Sequence, residues 1–189
     1  MSTAEPLIFT SRNELVYKII VLGDSDVGKT SLLNNFLKKR FEEKYLQTVG
    51  VNILKEQLTV LDDQGNDVTV NLMFWDIAGQ PQFYMLHRPY FNGADGMILV
   101  YDIACVRSFL NINKWYNSAV RYGLGVIPRI LVGNTKYLIY RREVPRTIAE
   151  LLSIKLNAPF FETSALSGRG IKDIFQKIAD LTFQSKLTN

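Results

Sequence analysis

Short apolar runs separated by turn-forming residues dominate the chain, and their spacing predicts alternating strands and helices. Tyr17-Lys18-Ile19-Ile20-Val21-Leu22 is rich in β-branched residues and ends at Gly23, the pattern of a buried strand. Beyond a glycine-containing segment, Leu32, Leu33, Phe36 and Leu37 recur at helical spacing, so strand, loop and helix make half of a βαβ unit. Val68, Val70, Leu72 and Phe74 then alternate with Thr69, Asn71, Met73 and Trp75 after the turn-prone Asp62-Asp63-Gln64-Gly65-Asn66. The stretch from about 51 to 75 therefore reads as an antiparallel hairpin. Continuous apolar runs at Met97 to Tyr101 and Ile130 to Val132 predict parallel strands, with Phe109, Ile112, Trp115, Tyr116 and Ala119 marking a crossover helix between them. Phe160-Phe161 is a last short strand, and Ile171, Ile174, Phe175, Ile178 and Leu181 share one face of a closing helix. The predicted class is α/β: a mostly parallel six-stranded sheet with one antiparallel hairpin strand and helices on both faces.

The length of 189 residues with 47% hydrophobic residues fits one domain, assigned to 15–184, with an N-terminal extension at 1–14 and a short tail at 185–189. A net charge of +4 without a dense Lys/Arg cluster gives no nucleic-acid signature. Lys38-Lys39-Arg40 and Arg141-Arg142 read as solvated faces. The single cysteine, Cys105, excludes an internal disulfide framework, and the single histidine, His87, argues against a histidine-rich metal site. The start lacks a signal peptide and a Met-Gly pair, and no apolar run is long enough to span a membrane, so a soluble cytoplasmic protein is expected.

Gly23-Asp24-Ser25-Asp26-Val27-Gly28-Lys29-Thr30 changes this picture, because it fits G-x-x-x-x-G-K-[ST] between a predicted strand and a predicted helix. Successive N–H groups of such a loop wrap phosphate oxygens, and the helix N-terminus adds a favourable dipole. Lys29 would place a point charge on the terminal phosphates, and Thr30 its hydroxyl on a bridging Mg2+. With Ser31 following, the loop implies a nucleoside triphosphate as ligand.

Trp75-Asp76-Ile77-Ala78-Gly79-Gln80 resembles the switch II motif of Ras-superfamily small GTPases, whose fold is the P-loop G domain. Thr48-Val49-Gly50-Val51-Asn52 resembles switch I of the Rab branch, and Glu162-Thr163-Ser164-Ala165-Leu166 that family's guanine-contacting loop. Tyr90-Phe91-Asn92-Gly93-Ala94 and Leu99-Val100-Tyr101-Asp102-Ile103 are similarly Rab-like, so the likeness runs from about 15 to 181. By that resemblance Thr48 binds Mg2+ and senses the γ-phosphate, Asp76 supports the metal, and Gly79 offers its N–H to the γ-phosphate. Gln80 orients the attacking water, and Phe41 packs on the base. The resemblance implies binding of GTP and GDP with Mg2+, slow hydrolysis helped by a partner's arginine, and an exchange factor, a GTPase-activating protein and effectors as partners. The effector surface would span Phe41 to Ile53 and Trp75 to Phe91, where Trp75 and Ile53 are either exposed for an effector or, as is commoner for such sheet residues, partly buried core; His87 would face solvent and Cys105 would start a helix half-buried.

The chain departs from the family at its base-reading Asn-Lys-x-Asp motif: here Asn134-Thr135-Lys136-Tyr137 follows Val132-Gly133. Aligned without a gap, Thr135 replaces the lysine and Tyr137 the aspartate, while Leu166 replaces the lysine of the usual Ser-Ala-Lys. A carboxylate accepts two hydrogen bonds from the guanine edge, which a tyrosine hydroxyl cannot match. Losing two charge-assisted bonds at about 1.5 to 3 kcal/mol each weakens base binding roughly 10²- to 10⁴-fold. Asn134 and the N–H of Ala165 would still favour the guanine O6, with Lys136 standing in for the missing lysine. Two classes stay open: a nucleotide-hydrolysing switch of relaxed base selectivity, and a pseudo-GTPase scaffold that binds partners without nucleotide. The family also implies a role in vesicle trafficking, usually through a prenylated C-terminal cysteine. The tail Ser185-Lys186-Leu187-Thr188-Asn189 has none, so no direct membrane anchor is expected in this chain. A chain cut before its tail, the first part of a longer protein and a switch without a lipid anchor all remain open, and membrane association would need a lipidated tail or a partner.

Overall fold

The computed structural model describes residues 14–37, 50–79, 87–135, 141–164 and 167–188. Six strands and five helices follow in order among them, alternating except at the β2–β3 hairpin: β1 Leu15–Leu22, α1 Lys29–Phe36, β2 Val51–Leu61, β3 Asp67–Ile77, α2 His87–Phe91, β4 Gly96–Asp102, α3 Val106–Arg121, β5 Arg129–Thr135, α4 Arg146–Leu156, β6 Phe160–Ser164 and α5 Ile171–Leu187. The sheet order is β2-β3-β1-β4-β5-β6. Only the β2–β3 pair is antiparallel among the described pairings; the others are parallel, as the alternating pattern predicts. Asp62 fixes the hairpin turn, its Oδ1 accepting the backbone N–H of Gln64 at 2.9 Å and of Asn66 at 2.8 Å.

Two strands run further than the sequence reading places them. β1 begins at Leu15 because Leu15 and Val16 pair with Val70 and Asn71 of β3. β6 continues past Phe160-Phe161 to Ser164, since Glu162, Thr163 and Ser164 stay in register with Gly133, Asn134 and Thr135. The ladder there is held by the neighbouring strand and not by side-chain burial alone, so hydropathy gives little sign of it. This extension sets Ser164 directly beside Thr135.

Each sheet face has its own core. On one face α1 and α5 cover β1, β3 and β4, and the stack of Phe36 on Phe175 at 4.0 Å with Phe74 edge-on at 5.0 Å fills the centre. Ile171, Ile174, Phe175 and Ile178 of α5 are buried as the periodicity predicts, with Leu181 partly so. On the other face Phe109, Ile112, Trp115 and Ala119 of α3 and Ala149, Leu152 and Leu156 of α4 pack with Leu22, Leu99, Tyr101 and Leu131. Cys105 is the half-buried residue just before α3, as expected.

The pair Arg141-Arg142 is not a uniformly solvated face. Arg141 is exposed, but Arg142 forms a two-pronged ion pair with Glu162 of β6, at 2.7 and 2.9 Å, and the Glu162 carboxylate raises its pKa. This bridge ties the segment entering α4 to the strand that leads into the predicted base loop. Lys38-Lys39-Arg40 lies outside the described residues.

Tyr101 carries a small defect in this core. Its ring is fully buried against Phe109, its hydroxyl lacks a hydrogen-bond partner among the described residues, and desolvation raises its pKa. An unmet buried hydroxyl costs about 1–3 kcal/mol. Tyr101→Phe removes it without changing the ring, so urea unfolding should show a gain of about 1 kcal/mol; a loss would mean that the hydroxyl is in fact bonded.

Candidate functional site

The carboxyl ends of β1, β3, β5 and β6 deliver Gly23, Asp76, Asn134 and Ser164 to one edge of the sheet, where ligands of open α/β sheets bind. β1 must leave the sheet there and turn at once into α1. Gly23 permits this, with φ at +149° and its backbone so close to β4 that a Cβ would lie 2.1 Å from the Val100 carbonyl oxygen. The loop then closes on Lys29, whose side chain is buried. Its ammonium donates to the carbonyls of Gly23 at 2.9 Å and Asp24 at 2.8 Å. Val27 contributes backbone alone, because its side chain sits in the α1–α5 core. Ser25, Thr30 and Ser31 are half-buried, and Asp26 is exposed at φ +66°.

Thr30 and Asp76 meet across the loop. The Thr30 hydroxyl donates to Asp76 Oδ2 at 2.5 Å, while Asp76 Oδ1 is buried without a partner among the described residues. Burial raises the Asp76 pKa, against the lowering effects of the Thr30 hydrogen bond and the nearby Lys29 charge. An orphaned carboxylate oxygen beside a hydroxyl is a hard-oxygen pair that suits Mg2+. No group of three or more His, Cys, Asp or Glu among the described residues forms a metal site. A metal here would therefore complete its shell with ligand phosphates and water, the usual habit of Mg2+.

Gly79 lies flat on the phosphate loop. A Cβ there would come within 2.3 Å of Asp24 C and Ser25 N, so the second residue after β3 can only be glycine at this distance. The Asp24 side chain, by contrast, points away from the loop's interior. It accepts the Asn111 amide at 2.7 Å and the Trp115 indole N–H at 2.8 Å, both from α3.

On the base side, Asn134 is fully buried and its Nδ2 donates to the Val27 carbonyl at 2.8 Å, with Thr163 Oγ1 3.5 Å from its Oδ1. Asn134 thus stitches the phosphate loop to β5 and β6, a structural use beside the base-reading one expected of it. Thr135 is half-buried next to Ser164, whose Oγ accepts the backbone N–H of Ser167. Phe41, Thr48, Gln80, Lys136, Tyr137, Ala165 and Leu166 lie outside the described residues, as does the His87 side chain. Of the proposed effector surface, Ile53 is exposed; Trp75 is only half-buried, with the Lys18 ammonium 3.8 Å from its ring centroid. Sequence reading missed Asn111 and Trp115, because Trp115 fits the buried stripe of an amphipathic helix and an asparagine on α3 carries no motif.

A family model described as the Ras family matches residues 18–184. Among curated proteins the chain is 34% identical over 162 residues to the GTP-binding protein ypt1 of Schizosaccharomyces pombe, covering 86% of this chain and 77% of that one. It is 34% identical over 174 residues to the Ras-related protein Rab7 of Drosophila melanogaster, covering 90% and 82% respectively. For the human Ras-related protein Rab-15 the identity is 31% over 172 residues, 91% and 79% of the two chains. With its phosphate loop, its Thr30–Asp76 pair and these relatives along nearly its whole length, the chain belongs to the Ras family of small GTPases.

Proposed function

We propose that the chain is a guanine-nucleotide switch that hydrolyses GTP slowly with Mg2+ and reads the base less strictly than its family. The observation that carries this reading is the Thr30–Asp76 pair with its buried, unpartnered carboxylate oxygen beside Lys29. A scaffold without nucleotide has no need of that oxygen, and leaving it unmatched in the interior is costly.

Thr30 and Asp76, with Thr48 by family likeness, would hold Mg2+. The ion supplies charge neutralisation on the phosphates and a fixed orientation for them. Lys29 brings its ammonium to the terminal phosphates while two carbonyls keep it aimed. The loop N–H groups and the N-terminus of α1 add a preorganised positive field that needs no rearrangement on binding. Gly79, pressed against the loop, is positioned to respond to the γ-phosphate, and Gln80 next to it would orient the attacking water. No arginine in the chain is recognisable as a built-in charge stabiliser, so rapid turnover depends on one lent by a partner. Family likeness supports a GTPase-activating protein, an exchange factor and effectors that read the β2–β3 surface around Ile53 and Trp75, and a trafficking role like that of Rab proteins.

Base selectivity is relaxed in this reading because Tyr137 stands where an aspartate would accept the guanine N1–H and N2–H2. Titration of GTP, GDP, ATP and XTP into nucleotide-free protein should give GTP and GDP the tightest binding but ATP within about 10²- to 10³-fold of GTP. Tyr137→Asp should widen that gap by roughly tenfold or more. Undiminished exclusion of ATP by the unsubstituted protein would sink the idea.

Single-turnover hydrolysis of GTP by the isolated protein should run on the order of 10⁻⁴ to 10⁻³ s⁻¹ and stop when Mg2+ is chelated. Gln80→Leu should slow it about tenfold or more without weakening GTP binding. Fast hydrolysis without any partner would contradict the dependence on a borrowed arginine.

A further inference from the structure

We propose that Asn111 and Trp115 of α3 are positioning residues for the phosphate loop, which hold the Lys29 ammonium in place through the Asp24 carboxylate. The proposal rests on the nucleotide-binding reading above for its functional meaning. Asn111 and Trp115 stand four residues apart, one helical turn, and so present their side chains on the same face of α3. Both reach one carboxylate: Asn111 Nδ2 lies 2.7 Å from Asp24 Oδ2, and Trp115 Nε1 2.8 Å from Asp24 Oδ1. Each oxygen of Asp24 is thereby held by its own donor, and hydrogen bonds of this kind to a carboxylate are stronger than those between neutral groups. Trp115 is fully buried, so its N–H is fixed by packing as well as by the bond.

The same residue holds Lys29 by its backbone. The Asp24 carbonyl is one of two that accept the Lys29 ammonium, at 2.8 Å, the other belonging to Gly23. Side chain and carbonyl of Asp24 are joined through one Cα, so clamping the carboxylate to α3 limits how the carbonyl can turn. The backbone of Asp24 and Ser25 is also in close contact with Gly79, which closes the third side. A carboxylate next to a phosphate site would repel its ligand if it swung inward. Two neutral donors from α3 keep it turned outward, and the loop's cation faces the ligand unopposed. In this arrangement α3 is a fixed anvil for the phosphate loop. A purely structural role for the two bonds would instead affect unfolding and leave Lys29 unchanged.

The distinction is tested by a double-mutant cycle. Trp115→Phe keeps the apolar ring and deletes the N–H; Asn111→Ala, at a half-buried position, deletes the amide and serves if the tryptophan variant folds poorly. Each is made alone and with Lys29→Ala, and the dissociation rate of a fluorescent GDP with Mg2+ is measured after circular dichroism has shown a folded protein. We expect about tenfold faster release in the Lys29 background and less than about twofold change in the Lys29→Ala background. Equal acceleration in both backgrounds, or none in the first, overturns the proposal. A second reading does not need nucleotide: in protein labelled at lysine, the Lys29 side-chain resonance, assigned by its loss in Lys29→Ala, should shift in Trp115→Phe and stay in the control Val120→Ala. A Lys29 resonance unmoved by Trp115→Phe overturns the proposal as well. If the unsubstituted protein binds no nucleotide, the proposed function fails on its own, and the resonance still decides the role of α3.

Discussion

A buried ammonium group is the constraint on which the site turns. Lys29 is only 6% exposed, and a cation removed from water must recover its hydration energy from fixed dipoles or opposite charge. The chain meets this demand with the carbonyls of Gly23 and Asp24 and with the nearby carboxylate of Asp76. Those carbonyls can face Lys29 only if the backbone doubles back after β1, and that needs the close approach to Val100 that Gly23 alone allows. Thr30, Asp76 and Gly79 then fall into place because each touches the loop so formed.

The sheet supplies the rigidity for this arrangement. β1 is central and paired on both sides, to β3 over Leu15 to Val21 and to β4 over Ile19 to Leu22. The end of β1 is therefore fixed against the end of β3, where Asp76 stands, by a ladder that cannot slip without turning buried side chains toward the opposite face. β5 joins through Asn134, whose amide holds the Val27 carbonyl, and α3 joins through Asp24. The loop is gripped by β4, β5, α3 and the segment after β3, so its geometry exists before any ligand arrives, as electrostatic preorganisation requires.

Legibility in the sequence followed the kind of force involved. Burial repeats with the period of the element, so the strands, α1 and the faces of α3 and α5 were readable from hydropathy, whereas α2 and α4 were not read. Phosphate-binding backbone needs glycine at set spacings, so Gly23 to Thr30 announced itself, and the switch II motif that begins in the end of β3 added Asp76 and Gly79. The clamp of Asn111 and Trp115 on Asp24 was not readable: it joins residues 87 and 91 positions apart, and each end has a sufficient local explanation. The same blindness hid the Arg142–Glu162 fork, because two adjacent arginines read as surface until the partner strand is known. Long-range polar pairs leave no periodic trace, and the polar extension of β6 to Ser164 escaped for the same reason.

The two halves of the proposed site are built from different materials, and on that reading a divergent base motif is compatible with a functioning switch. The phosphate half consists of backbone amides, one buried cation and one buried carboxylate, all cross-braced by the sheet. Damage there would leave charges unmatched in the interior and would be felt as instability. The proposed base-reading residues follow β5 and β6 in sequence, and of them Thr135 is only half-buried. Asn134 bridges the halves, its side chain bonded to the Val27 carbonyl of the phosphate loop and to Thr163 of β6. It is therefore held in place by folding whether or not it also touches a base. A switch responds to the presence of the γ-phosphate, and the base contributes chiefly affinity and choice. On the proposed function, divergence at Thr135 and Tyr137 would alter which nucleotide is held, and how tightly, while the Thr30–Asp76 pair and Lys29 keep their places.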